Sequence, residues 1–183
     1  MSRVSEVPGS AEVVVIGGGV MGASIAFHLA EAGVRDVLLL ERGDLAGGST
    51  TKSPGGVRAQ FSDPVNVALG LRSLAAFEGF ATRPGGEIDL HQVGYLFLHT
   101  DSAAWAAAQE AVAMQRSAGV GSRVLTAAEA GELSPGVEVG DVLGATFHAR
   151  DGYCTPEAVV QAYARGARRH GATVRTGVEV TDI

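Results

Sequence analysis

Apolar positions come in short blocks over the first forty residues. Glu12 is followed by Val-Val-Val-Ile, and Ile16 runs straight into glycine. A β-branched run this short, closed by a turn residue, predicts a buried parallel strand. Between Val20 and Ala32, Met21, Ile25 and Leu29 recur every four residues and predict a helix, which Gly33 caps at its C-terminus. A second apolar run from Asp36 to Leu40, closed by Glu41, predicts another buried strand. Residues 11–41 therefore read as one β-α-β unit with a right-handed crossover.

Beyond it the pattern changes. Residues 43–56 form a loop rich in Gly, Ser and Thr, and such a stretch inside a compact domain is functional or mobile. Ser62-Asp63-Pro64 opens a helix to about Phe80, with Pro64 suited to the first turn. Arg83-Pro84-Gly85-Gly86 breaks the chain. Val93–Leu98 predicts a strand, and Asp101 caps an alanine-rich helix to about Ala118. Thr126 and Glu129 form a capping-box pattern. Asp141 to His148 predicts a strand, Thr155-Pro156-Glu157 a helix to about Arg169, and residues 174–176 and 178–183 closing strands. The order implies an α/β nucleotide-binding domain in two segments, 1–85 and 150–183. A mixed-sheet α+β segment, 86–149, interrupts it. The apolar ending reads as the N-terminal portion of a longer protein.

Composition narrows the class. Apolar residues make up 46% and charged residues 19% of 183 residues, which excludes a disordered chain. The net charge of −6 argues against bulk nucleic-acid binding. No apolar run is long enough for a membrane span, and Met1 to Ser10 lacks the apolar core of a secretory signal. A single cysteine, Cys154, forbids an internal disulfide and fits a cytoplasmic setting. It has no adjacent His or second Cys, so a redox role is not expected. The histidines show no metal-ligand spacing, and no metal is expected.

The candidate chemistry starts at Gly17-Gly18-Gly19-Val20-Met21-Gly22, which matches G-x-G-x-x-G. Gly17 permits the tight turn, Gly19 a close approach to pyrophosphate, and Gly22 close helix–strand packing. Val20 and Met21 begin the helix, whose free N–H groups and positive dipole end suit phosphates. Glu41 follows Gly22 by 19 residues and can accept hydrogen bonds from a ribose hydroxyl. Strand, helix and acid at this spacing point to an adenine dinucleotide, without separating NAD from FAD.

The next loop, Gly47-Gly48-Ser49-Thr50-Thr51-Lys52-Ser53-Pro54-Gly55-Gly56-Val57-Arg58, makes the chain resemble the D-amino acid oxidase-like superfamily of FAD-dependent amine oxidoreductases. The match continues through Ala59-Gln60-Phe61, Gln92-Val93-Gly94-Tyr95-Leu96-Phe97-Leu98, Asp151-Gly152 with Pro156, and Gly171-Ala172-Thr173-Val174 with Val178. Within that superfamily it is most similar to sarcosine oxidases and the β subunit of dye-linked L-proline dehydrogenase. The resemblance implies oxidation of the C–N bond of a secondary amine or amino acid by hydride transfer to flavin. It places the FAD pyrophosphate at Gly17, Gly19 and Gly22, the adenosine ribose at Glu41 beside Arg42, and the adenine near Val178. Gly48, Ser49 and Thr50 would meet the phosphates or ribityl chain, and Gly55, Gly56 and Val57 the isoalloxazine.

Two residues are catalytic candidates by the same resemblance. Arg58 matches an arginine that faces the substrate carboxylate, which a planar guanidinium suits; otherwise it ties the loop to the sheet. Lys52 would stabilise charge near the flavin, or is a solvated loop lysine. Some relatives attach FAD through a histidine in this loop; Thr51 and Lys52 stand there, so non-covalent binding is expected. Tyr95 packs or lines a cavity. The rival readings are an NAD-dependent dehydrogenase and a non-catalytic FAD-holding subunit working with a second subunit.

Overall fold

The computed structural model describes residues 7–183. The first six residues of the stretch read above for a secretory signal lie outside them. In chain order the elements are β1 (Val13–Ile16), α1 (Val20–Glu31), β2 (Val37–Glu41), β3 (Gly56–Val57), α2 (Pro64–Glu78), β4 (Tyr95–His99), α3 (Ser102–Ser117), β5 (Arg123–Leu125), α4 (Ala127–Leu133), β6 (Gly144–His148), β7 (Gly152–Tyr153), α5 (Pro156–Arg169) and β8 (Thr173–Thr176). They fall into two compact units. The first comprises the described residues up to Gly55, Phe80–Asp89 and Thr155–Ile183; the second comprises Gly56–Gly79 and Leu90–Cys154. The units meet along the chain after Gly55, Gly79, Asp89 and Cys154, where the sequence alone suggests borders at 85 and 149.

In the first unit, β1, β2 and β8 form a parallel sheet in the order β1-β2-β8, with Val13 opposite Val37 and Leu39 opposite Val174. The central strand β2 is buried from Val37 to Leu40. Helices α1 and α5 cover one face, where Val15, Phe27, Leu39, Ala167 and Val174 share a core. Fully burying Leu39 or Phe27 contributes about 1.5–3 kcal/mol each. Of the Met21-Ile25-Leu29 stripe that its spacing suggests, helix α1 packs only Leu29, partly buried, against the core. Met21 is 72% and Ile25 47% exposed, while Ala23, Ala26, Phe27 and Ala30 are buried. Alanines let the helix approach its neighbours closely, and Phe27 fills the space left where Gly166 of α5 has no side chain.

Two further expectations change here. Strand β1 is only partly buried, with Val14 48% and Ile16 52% exposed, because it pairs with β2 alone and the helices cover a single face. Only one closing strand forms, β8, and residues 178–183 adopt no strand. Instead the Val178 N–H donates to the Glu41 carbonyl at 2.9 Å, which draws that segment beside the end of β2.

The second unit carries an antiparallel sheet in the order β4-β6-β5, with Tyr95 opposite His148 and Phe97 opposite Thr146. One face packs Leu96, Leu98 and Phe147 with Leu125, Ala130 and Ala145. Helix starts follow the predicted chemistry. Asp63 accepts from Val65 and Asn66 ahead of α2, Asp101 accepts from Ala104 in α3, and Thr126 and Glu129 complete the capping box of α4. The two-residue strands β3 and β7 pair antiparallel; neither they nor β5 were readable as periodic runs. Among the described residues no helix is long and apolar enough to cross a membrane.

Candidate functional site

The end of β1 turns into α1 through three glycines. The Gly17 N–H donates to the Leu40 carbonyl at 2.8 Å, fixing the turn to the neighbouring strand. Helix α1 starts at Gly19 with no side-chain cap and no acidic residue in its first turn. An uncapped start leaves backbone N–H groups and the positive end of the helix dipole facing outward.

Glu41, at the end of β2, is tied into this turn. Its Oε2 accepts the Gly18 N–H at 2.6 Å and its Oε1 the Gly43 N–H at 2.8 Å. These amides, Gly43 first and then Gly18, hold its carboxyl below the usual glutamate range, so it is ionised at neutral pH. The Ser/Thr-rich loop closes back onto the helix as well, where Thr50 Oγ1 accepts the Val20 N–H at 3.1 Å.

Around this arrangement lies a cavity of about 720 Å³, lined by Gly19, Val20, Met21, Glu41, Arg42, Gly48, Ser49 and Thr50. Eight of the residues singled out in the sequence thus meet at one place. Asp44, Gly47 and Ser53 line it too, though no role was assigned to them from the sequence. A smaller cavity of about 260 Å³ beside it shares Glu41 and Arg42 and adds Gly17 and Val178. Gly22 lines neither cavity but lies against the backbone of Gly17.

The rest of the loop is placed differently. Gly55 belongs to the first unit with Lys52, whose side chain is exposed, and neither lines these cavities. Gly56 and Val57 form β3 of the second unit, where a β-carbon on Gly56 would lie 2.3 Å from the Tyr95 hydroxyl. Tyr95 therefore packs against the loop.

Arg58 follows in the second unit. Its guanidinium lies 4.7 Å from the centre of the Phe61 ring and 5.5 Å from that of Phe97. Among the described residues no carboxylate pairs with it. The backbone that carries it is held by Asp151, which is fully buried. Asp151 accepts from the Ala59 N–H at 2.8 Å and Gln60 Nε2 at 3.2 Å, and contacts His148 Nδ1 at 2.7 Å. The sequence flagged Asp151 only as part of a string; its grip on the Arg58 segment, 92 positions away, is a tertiary fact. Burial pushes the Cys154 thiol up, away from the reactive thiolate. Among the described residues no cluster of side chains could hold a metal ion.

Residues 12–183 match the protein family described as DAO, FAD dependent oxidoreductase. Mouse mitochondrial dimethylglycine dehydrogenase is 29% identical over 174 residues, covering 94% of this chain and 20% of that protein. The sarcosine oxidase subunit beta of an Arthrobacter species is 29% identical over 178 residues, covering 94% and 44%. Among solved structures, L-proline dehydrogenase from P. horikoshii superposes with a TM-score of 0.89 at 32% identity, covering 96% of this chain and 46% of that one. The chain spans less than half of each of these proteins. The fingerprint alone leaves NAD and FAD open, but the family does not: this chain belongs to the DAO family of FAD-dependent oxidoreductases.

Proposed function

We propose that the full protein oxidises the C–N bond of a secondary amine or amino acid of the sarcosine, proline or glycine type, with FAD seated at the start of α1. The reading is carried by the 720 Å³ cavity at that uncapped helix start, which gathers the fingerprint, Glu41 and the Ser/Thr loop.

The residues fit the coenzyme. A β-carbon on Gly19 would lie 3.2 Å from Thr50 Oγ1, a tight contact that glycine avoids. The N–H groups of Gly19 and Met21 would meet the pyrophosphate beside Val20, whose own N–H is held by Thr50 Oγ1, with Gly17 and Gly22 shaping the turn. Glu41 would accept from the ribose hydroxyls and repel a 2′-phosphate, with Arg42 beside it and Val178 at the adenine. Gly48, Ser49 and Thr50 would hold the phosphates or ribityl chain, and Gly55, Gly56 and Val57 would approach the isoalloxazine. Binding through this segment is non-covalent. Bound FAD supplies the two-electron acceptor.

This chain's own work is placement. Arg58, stacked on two rings and unpaired, takes the substrate carboxylate by a bidentate contact. Lys52 supplies positive charge to the reduced coenzyme. The second unit serves as the substrate domain, and a further subunit, as in the sarcosine oxidase relative, completes the assembly. Anaerobic titration of the full-length protein with sarcosine, proline and glycine tests the reading. At least one should bleach the flavin absorbance; an unchanged spectrum with all three removes the amine assignment.

A further inference from the structure

Arg58 borders a cavity of about 440 Å³ in the second unit. Its guanidinium rests over Phe61 and Phe97, and among the described residues no carboxylate pairs with it. Helix α3 borders the same cavity with Ala104, Ala108 and Ala111, whose methyl groups offer it no acceptor. Contacts of an exposed cation with ring faces are weak and carry little direction. Where the guanidinium stands therefore depends on the backbone beneath it.

That backbone is gripped on both sides. Val57 before it pairs with Gly152 in the β3–β7 ladder, and the Ala59 N–H after it donates to Asp151 Oδ1 at 2.8 Å. Two consecutive residues, Asp151 and Gly152, thus hold the two neighbours of Arg58. Val57, Ala59 and Gln60 are buried, while Arg58 is exposed. Helix α2 supports the same point: a β-carbon on Gly70 would lie 3.0 Å from the Arg58 carbonyl oxygen and 3.0 Å from the Ala59 Cα. The Asp151 carboxylate takes two further donors. Gln60 Nε2 donates to its Oδ2 at 3.2 Å and to the Tyr95 carbonyl at 3.0 Å. His148 Nδ1, carrying the hydrogen beside an oxygen that only accepts, lies 2.7 Å from its Oδ1. Turning the Gln60 amide over would set oxygen against oxygen at both of its contacts. Its Oε1 instead stays buried without a donor, an unfavourable arrangement that those two acceptors impose. Three converging donors call for a side chain with two acceptor oxygens and no donor of its own, which a carboxylate provides.

We propose that Asp151 is a positioning residue, whose buried carboxylate fixes the Arg58 backbone and thereby the place where the guanidinium meets the substrate. Asp151 is fully buried, so it acts through Arg58 and not on the substrate itself. The inference rests on the carboxylate role given to Arg58 in the amine-oxidation reading and adds the residue on which that role depends. A displacement of about 1 Å in a positioning group can cost on the order of a hundredfold in rate. Asparagine at position 151 keeps an oxygen for the Ala59 N–H but turns an N–H group toward Gln60 Nε2. Donor then faces donor, and the grip loosens without loss of the side chain.

The test is a double-mutant cycle on the FAD-loaded full-length protein. It is read by anaerobic flavin reduction with whichever of sarcosine, proline and glycine reduces the parent. Asp151→Asn is expected to raise the half-saturating substrate concentration about tenfold, with the limiting rate changed less than about threefold and flavin content unchanged. Arg58→Ala should raise that concentration further, and the double variant should match Arg58→Ala within about twofold, since Asp151 acts only through Arg58. Gly70→Ala presses on Arg58 from α2 with Asp151 intact. It should raise the concentration about threefold or more, which keeps the test decisive if Asp151→Asn folds poorly. Effects that multiply in the double variant overturn the positioning role while leaving amine oxidation standing. So does a parental value for folded Asp151→Asn or, where that variant does not fold, for Gly70→Ala. A parental value for Arg58→Ala overturns the carboxylate assignment of Arg58 and this role with it. Failure of all three amines to reduce the parent flavin overturns the amine-oxidation reading on which both depend.

Discussion

Gly22 lies directly against Gly17: a β-carbon on Gly22 would come within 1.9 Å of the Gly17 carbonyl oxygen. The obstacle is backbone at the turn that leads from β1 into α1, so no side-chain rotation relieves it. Gly22→Ala must push the helix start away from the strand, at a cost of about 1–3 kcal/mol or more. Because that start is where the proposed pyrophosphate contacts arise, FAD retention should fall at least tenfold. The flavin-to-protein absorbance ratio after gel filtration measures it; an unchanged ratio would dissociate the fingerprint from coenzyme binding.

Glu41 makes a pH-dependent contribution. Its folded carboxyl is held below the ordinary glutamate range by the Gly43 and Gly18 amides. A depressed folded pKa means stability that is present above the unfolded value and lost as pH falls through the folded one. Glu41→Gln should thus be less stable than the parent by about 1 kcal/mol at pH 7, the low end for bonds to a half-exposed charge. The gap should close as the pH drops through and below the ordinary glutamate range. Urea unfolding at several pH values checks this, and a gap that widens in acid contradicts it.

Asp151 holds three buried partners at once. Asp151→Ala leaves the Ala59 N–H, Gln60 Nε2 and His148 Nδ1 without their shared acceptor. The expected destabilisation is about 3–5 kcal/mol. Asp151→Asn keeps an oxygen for Ala59 and should lose less. A denaturant midpoint for Asp151→Ala equal to that of the parent would show the cluster to be energetically idle.

The coenzyme should come away intact from this segment. Peptides spanning residues 43–58, cut from the acid-precipitated full-length protein, should carry unmodified masses. A flavin adduct on any of them would refute non-covalent attachment here.

Features encoded by neighbours in sequence were legible in advance. The β-α-β unit, the phosphate fingerprint and the caps at Asp63, Asp101 and Thr126 depend on residues within one or two turns of each other. Eight of the residues read for the coenzyme line one cavity for the same reason, since a tight turn, a helix start and a strand end are close by construction. The face of α1 was not legible. Met21, Ile25 and Leu29 are the more hydrophobic stripe, yet Met21 and Ile25 stay exposed, Leu29 is only partly buried, and close packing selects the alanines and Phe27. Residues 178–183 have the composition of a strand, but a strand needs a neighbour to pair with, and periodicity supplies none.

The Asp151-Gly152 pair shows where the two levels part. As sequence it is a turn signal. In the folded chain Asp151 reaches Ala59, and a β-carbon on Gly152 would lie 1.9 Å from the His91 carbonyl oxygen, so both residues answer to backbone far away in the chain. The sequence by itself carried the dinucleotide turn, because that rests on local backbone geometry and fixed spacing, and it carried the resemblance to the family through its motif strings. Only tertiary structure decided that Arg58 is unpaired over Phe61 and Phe97, that Gln60 keeps a free oxygen, and that the α3 alanines border the same cavity. Those properties arise when segments 35 and 91 positions apart pack together, and no local pattern encodes which groups that packing leaves unsatisfied.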